Sequence, residues 1–328
     1  MKRRWLFLMS LLVVVVLSAC SQKSEEEEEK EKKERVKIGV MLSDAGLGDQ
    51  SFSDIAFEGL EKARDELNIT FDYRELEFTG TYKQGLEELV EEGQDLIIGI
   101  GFTVQEDMEA VAAANPDEQF LLIDAVSDLP NVHNITFKED EGSYLLGALA
   151  AMKSDSNTIG FIGGVENEVI ERFETGFKAG AKQVNPDTEV LSVYAGNFGD
   201  DQLGASIAQD MIEQGADFIY PAAGFTGVGS ILAAQKAGVY AFGVDSDQFF
   251  LAEDTIVSSM LKRVDTAVYQ AIKEVSETGT LSEKDKVLGI KENGVSLAPI
   301  RVVNLTAQEQ KQIENLQQEL ADGQLTIK

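Results

Sequence analysis

The residues of this chain best placed to do chemistry are carboxylates and glycines that follow short apolar runs. Asp44, Gly101, Asp124, Gly164, Gly224 and Asp245 each stand at or just beyond the end of such a run. If the runs are strands of open parallel sheets, these positions face the place where ligands bind, beyond the carboxyl ends of the strands. An ionised carboxylate only accepts hydrogen bonds, and a glycine lets backbone approach closely. The set suits a polar solute held by acceptors and by close backbone approach. No spacing singles out a pair of acids for hydrolysis, so the chain reads as a binding protein and not as an enzyme.

Other chemistry is largely excluded by composition. His133 is the one histidine and Cys20 the one cysteine. Thiol catalysis, Ser-His-Asp catalysis and histidine-based zinc sites therefore lack their parts. His133 lies in NVHNITF, an apolar run read as a strand, where a structural role is expected. No phosphate-binding G-x-x-x-x-G-K-[ST] occurs, and GIGFTV (residues 99–104) lacks the third glycine of a dinucleotide fingerprint. No cofactor and no metal are expected.

The elements that must position these residues alternate along the chain. VKIGVML, FDYRELEF, DLIIGI and QFLLID are short apolar runs separated by segments with helical spacing, such as Leu86, Leu89 and Val90. After Asn131 the pattern restarts with TIGFIGG, EVLSVYAG, DFIYPAAG and YAFGVD, again with helices between them. Strands alternating with helices of about a dozen residues make βαβ units and a parallel sheet. Two such sets predict an α/β protein of two Rossmann-like lobes; one larger sheet is the competing architecture. The Gln-rich stretch 306–320 is predicted to be a C-terminal helix.

The first residues stand apart. Lys2, Arg3 and Arg4 precede LFLMSLLVVVVL, a twelve-residue run at 6–17 that is apolar but for Ser10. That is too short for a membrane span, which needs about 20, and is the length of a signal-peptide core. Leu17-Ser18-Ala19-Cys20 resembles a bacterial lipobox, which implies cleavage before Cys20, its acylation, and a lipid anchor on the outer face of the cell membrane. SQKSEEEEEKEKKER (21–35) has no apolar residue and is read as a solvated tether. Losing residues 1–19 removes three positive charges and no negative ones, taking the net charge from −30 to −33. Such a surface repels phosphate backbones, so no nucleic-acid partner is expected.

Seven loop sequences in order resemble one family: SDAGLGDQSFSDIAFEGL, TFKEDEGSYLLGALAA, TIGFIGG, RFETGFKAGA, PAAGFTGVG, GVDSDQ and SSMLKRVDTAVY. They are similar to the basic membrane protein lipoproteins, purine-nucleoside-receptor-like binding proteins of ABC importers. The resemblance implies a type I periplasmic-binding-protein fold with three interlobe crossovers. One lobe would hold 36–137 and about 263–280, the other 138–262 and about 281–328. It further implies a monomer that closes over a purine nucleoside and serves ABC permease subunits. Carried over by motif, Phe52 and Phe198 would stack on the base. Asp44, Asp124 and Asp245 would accept from ribose or base edges, Gly224 would allow close approach, and Lys262 would donate. Each has a plainer alternative: a core role for either ring, helix capping for Asp44 or Asp49, and Asp247 in place of Asp245. The sequence departs from the commoner family pattern at Ser53, where Asn is usual, and at Phe225, where Gly is usual. A competence-regulating branch of the same family supplies the alternative function.

Overall fold

Buried β-branched and aromatic runs form the strands of two sheets. In the computed structural model, residues 35–327 are described; the stretch read from sequence as a signal peptide, Cys20 and most of the stretch read as a tether lie outside them. The first set of strands is Val36–Met41 (β1), Ile69–Arg74 (β2), Leu96–Ile100 (β3), Phe120–Ile123 (β4) and Val132–Phe137 (β5). The second is Thr158–Gly163 (β6), Glu189–Tyr194 (β7), Phe218–Ala222 (β8), Tyr240–Asp245 (β9) and Ile256–Lys262 (β10). Two short strands, Asp285–Leu288 (β11) and Val295–Leu297 (β12), complete them. The orders are β11-β5-β4-β3-β1-β2 and β12-β10-β9-β8-β6-β7. Counted within its own set, each lobe therefore runs 2-1-3-4-5, a doubly wound order with a switch point beside its first strand.

Central strands are buried along their whole length, as in LIIGI of β3 and FIYPA of β8. This is what helices on both faces of a parallel sheet require. The helices are Phe52–Glu66 (α1), Tyr82–Glu91 (α2), Gln105–Ala114 (α3), Glu139–Lys153 (α4), Glu168–Val184 (α5), Asp201–Glu213 (α6), Gly224–Ala237 (α7), Val264–Thr278 (α8) and Ala307–Ala321 (α9). The C-terminal helix α9 starts at a capping box in which Thr306 and Glu309 satisfy each other's backbone amides. One apolar cluster around Met41, Leu89, Ile97 and Met108 fills the first lobe, and one around Ile162, Met211, Ile219 and Ile231 the second. His133 sits in β5 with Nδ1 2.8 Å from the Glu283 carbonyl, a structural contact.

Two expectations are corrected. FDYRELEF is not one strand: β2 stops at Arg74, and Leu76–Thr79 makes a single helical turn. The chain also returns to the second lobe later than residue 280. Asp285–Leu288 pairs in parallel with β5, from Asp285 beside Asn134 to Leu288 beside Phe137. It closes the open edge of the first sheet, helped by the Asn134 amide donating to Asp285 at 2.5 Å. The three crossings thus fall between Phe137 and Glu139, between Lys262 and Val264, and between Leu288 and Val295.

Glycines let three helix pairs touch backbone to backbone. A Cβ on Gly147 of α4 would stand 1.9 Å from the Phe177 carbonyl oxygen of α5, and one on Gly180 1.9 Å from that of Tyr144. The α6–α7 pair repeats the arrangement at Gly204 and Gly229, each 1.8 Å from a facing carbonyl. Gly59 of α1 meets Asp265 of α8 in the same way at 2.4 Å. Gly147→Ala should therefore cost about 1–3 kcal/mol by overpacking, read as a lowered urea midpoint. Gly199→Ala, whose new Cβ meets only Asn197 Oδ1 at 3.7 Å, should stay within about 0.5 kcal/mol of the parent. Equal midpoints for the two variants would refute the close packing of α4 on α5.

Candidate functional site

The shared strand order brings the carboxyl ends of both sheets to one cavity of about 590 Å3, its mouth included. Asp44 and Phe52 reach it from the loop after β1 and the first residue of α1. Asp124 follows β4, Phe198 follows β7, Gly224 opens α7, and Asp245 and Lys262 end β9 and β10. The seven residues that the family resemblance assigns to the ligand all line this cavity, as does Gly101, whereas Gly164 is not part of the lining.

The two lobes supply equivalent parts. Asp124 and Asp245 each terminate the fourth strand of their lobe, and both take left-handed backbone angles, φ 68° and 64°. A non-glycine residue held there costs about 1–3 kcal/mol and persists only where surrounding structure imposes it. After each third strand comes Gly-Phe-Thr: Gly101-Phe102-Thr103 in one lobe, Gly224-Phe225-Thr226 in the other, with both glycines at positive φ.

Buried charge dominates the floor. Lys262 is 1% exposed, yet its ammonium donates to Asp124 Oδ2 and lies 2.9 Å from Glu139 Oε1. Burial alone would lower the Lys262 pKa; the charges of Asp124, Glu139 and Asp245 hold it above its ordinary value. The Phe52, Phe137 and Phe173 rings lie 5.0, 5.1 and 5.6 Å from the ammonium and add cation–π attraction. Glu139, fully buried, also accepts from Arg172 Nε at 2.7 Å. Burial raises the Asp124 carboxyl against the pull of Lys262. Asp245 is likewise pushed up to about 6 by burial, opposed by Lys262 and by a hydrogen bond from Ser51 Oγ. Asp124 Oδ1 is buried and has no hydrogen-bond partner in the protein. Such an oxygen carries a desolvation cost that a ligand donor would relieve.

The ring residues sit at the cavity wall. Phe198 lies directly on Gly164, where a Cβ would come within 2.1 Å of the ring, and also abuts Gly224. Its ring is 6.2 Å from that of Phe102, tilted by 59°. Phe52 is half-buried beside Gly101. Asp44 is exposed at the mouth. Asp49 takes the capping role: its carboxylate accepts from the Ser51, Ser53 and Asp54 amides, and burial pushes it up to about 6. Asp247 is not in the cavity; Arg301 holds it in a two-pronged ion pair, leaving Asp245 as the carboxylate facing inward.

Sequence reasoning missed Phe102, Phe173, Glu139 and Arg172. Phe102 lay in the GIGFTV segment dismissed as a false dinucleotide motif; its repetition as Gly-Phe-Thr after β8 was the available signal. Glu139 and Arg172 stand inside TFKEDEG and RFETGF, where nothing marks one acid of three, or one arginine, as buried.

Comparisons with known proteins agree with this geometry. Residues 36–327 match the Bmp family, described as ABC transporter substrate-binding protein PnrA-like. The chain is 37% identical over 265 residues to basic membrane protein D of Borreliella burgdorferi, covering 78% of this chain and 77% of that one. It is 31% identical over 314 residues to the ABC transporter nucleoside-binding protein BmpA of Lactococcus lactis, covering 89% of each. Among solved structures, an ABC transporter solute-binding protein from Aeropyrum pernix matches with a TM-score of 0.82 and 28% identity, over 89% of this chain and 92% of that one. The fold, the interlobe cavity and these matches agree: the chain belongs to the Bmp family of PnrA-like ABC transporter substrate-binding proteins.

Proposed function

We propose that this protein is a lipid-anchored receptor on the outer face of the cell membrane that captures a purine nucleoside and delivers it to an ABC importer. The observation that carries the ligand class is the unpaired, buried Asp124 Oδ1 in a cavity that also holds Asp245 and aromatic walls. Carboxylates at two sides call for a ligand rich in hydroxyl or amine donors. Phe52, Phe102 and Phe198 offer flat faces for a base, each stacking contact being worth about 1–3 kcal/mol. A nucleoside satisfies both demands without bringing charge. The nucleoside-binding relative from Lactococcus lactis supports the same class. Anchoring rests on the lipobox at Cys20; among the described residues no helix is long and apolar enough to cross a membrane.

Three outcomes follow from this reading. Inosine, guanosine or adenosine should bind the soluble body in calorimetry, and the matching 5′-monophosphates much more weakly; equal or tighter monophosphate binding would contradict it. Phe52→Leu and Phe198→Leu keep apolar volume but lose the flat face. Each should leave the ligand-free melting temperature nearly unchanged and weaken nucleoside binding by at least about tenfold. If both bind like the parent, these rings do not hold the base. Cys20→Ser should leave an unprocessed precursor or release the chain into soluble fractions, whereas processing and membrane retention like the parent would remove the lipid anchor.

A further inference from the structure

Four charged side chains meet beneath the cavity, and one of them touches no ligand space at all. Glu139 is the first residue of α4, just after the first crossing between lobes, and its side chain is fully buried. One oxygen accepts from Arg172 Nε at 2.7 Å; the other stands 2.9 Å from the Lys262 ammonium and makes no hydrogen bond within the protein. Lys262 in turn binds Asp124, the carboxylate with the free oxygen at the cavity. With Asp124 and Glu139 ionised, two acids and two bases cancel. Beyond them, Asp245 acts on Lys262, and Asp140 acts on Arg172. A side groove lined by Phe102, Asp124 and Arg172 runs next to the main cavity, so the guanidinium is one side chain away from the ligand space.

We propose that Glu139 sets the ligand charge this cavity accepts: its buried negative charge, together with that of Asp124, offsets the cations Lys262 and Arg172 and turns anionic ligands away. Without it the floor would lose one of the negative charges that, with Asp124 and Asp245, offset Lys262 and Arg172, and would repel a phosphate less. Glu139 is a positioning residue, acting through Lys262: it fixes the ammonium from the side away from the ligand, leaving Asp124 Oδ1 free to accept. Arg172 holds Glu139 in place and contributes the second positive charge. The inference rests on the nucleoside reading of the cavity, but it concerns discrimination by charge and can fail separately.

The experiment compares three ligands that share the adenosine scaffold and differ in charge at the 5′ position: adenosine, its 5′-monophosphate, and 5′-amino-5′-deoxyadenosine. Their affinities are measured by calorimetry for the parent, Glu139→Gln and Arg172→Gln. Glutamine keeps the size of Glu139 and can still accept from Arg172. One unit charge about 10 Å away, through an effective dielectric of about 20, changes the affinity of a singly charged ligand on the order of tenfold. Glu139→Gln should therefore raise the monophosphate-to-adenosine affinity ratio by at least about tenfold and lower the amino-to-adenosine ratio. Arg172→Gln should move the amino ratio the opposite way, which keeps the test sharp if Glu139→Gln does not fold. A purely structural Glu139 would lower the melting temperature and leave both ratios where they are in the parent; that result overturns the proposal. A parent that binds none of the three ligands sinks the nucleoside reading and this inference with it, whereas adenosine binding with unshifted ratios sinks this inference alone.

Discussion

The buried ammonium of Lys262 is the constraint on which the rest of this site depends. An ammonium removed from water without partners would give up its proton or unfold its surroundings. Here the compensation is split between lobes: Asp124 comes from the end of a strand in the first sheet, Glu139 from the first turn of a helix on the second. Lys262 itself ends β10, one residue before the chain crosses back. The ion pair can persist only while the two lobes keep their relative placement. Two further contacts share that burden, the Ser51 hydroxyl on Asp245 and the Gln248 amide on the Gln50 carbonyl at 2.8 Å. Interlobe geometry and the readiness of the ligand site are therefore one problem in this molecule.

The shared architecture of the two lobes explains why the answer is so regular. Both sheets run 2-1-3-4-5, so equivalent strands end at equivalent heights around the cavity. The fourth strand of each lobe ends in an aspartate forced into left-handed backbone angles, and the third is followed by Gly-Phe-Thr. Left-handed geometry at Asp124 and Asp245 places a carboxylate where the strand direction alone would not. The lobes differ where only one partner is needed. One contributes the lysine and its counter-ion Glu139; the other contributes Asp49 as a cap and Phe52 beside Gly101.

Much of this was readable from residues, and the failures have physical causes. Fully buried runs such as LIIGI and FIYPA, with helices between them, mark central parallel strands, and the restart after Asn131 marks the second lobe. Once strands are placed, strand-end carboxylates and glycines are the positions to inspect, which is how Asp124, Gly224 and Asp245 were found. Asp285–Leu288 escaped because four half-exposed residues carry too little apolar pattern to separate a strand from a loop. Glu139 escaped because Glu139, Asp140 and Glu141 all look like acids placed at a helix N-terminus for its dipole. Only packing separates the one that turns inward from the two that do not. The choice between Asp245 and Asp247 likewise needed the position of Arg301, 54 residues away in sequence from Asp247.

The strong acidity of the chain and the charge balance of the cavity act on different scales. Surface carboxylates repel a phosphate over a Debye length, about 8 Å at physiological ionic strength, and added salt removes that repulsion. Lys262, Asp124 and Glu139 are buried and are screened far less, with the part-exposed Arg172 at the edge of the group. A receptor relying on its acidic surface alone would lose discrimination in a salty exterior. One that balances Lys262 and Arg172 against Asp124 and Glu139 keeps it. The arrangement also reconciles two demands that otherwise conflict. A cation is needed to hold Asp124 in the accepting state, yet a bare cation would invite anions. Placing Glu139 behind the ammonium, out of ligand reach, keeps the first effect and cancels the second.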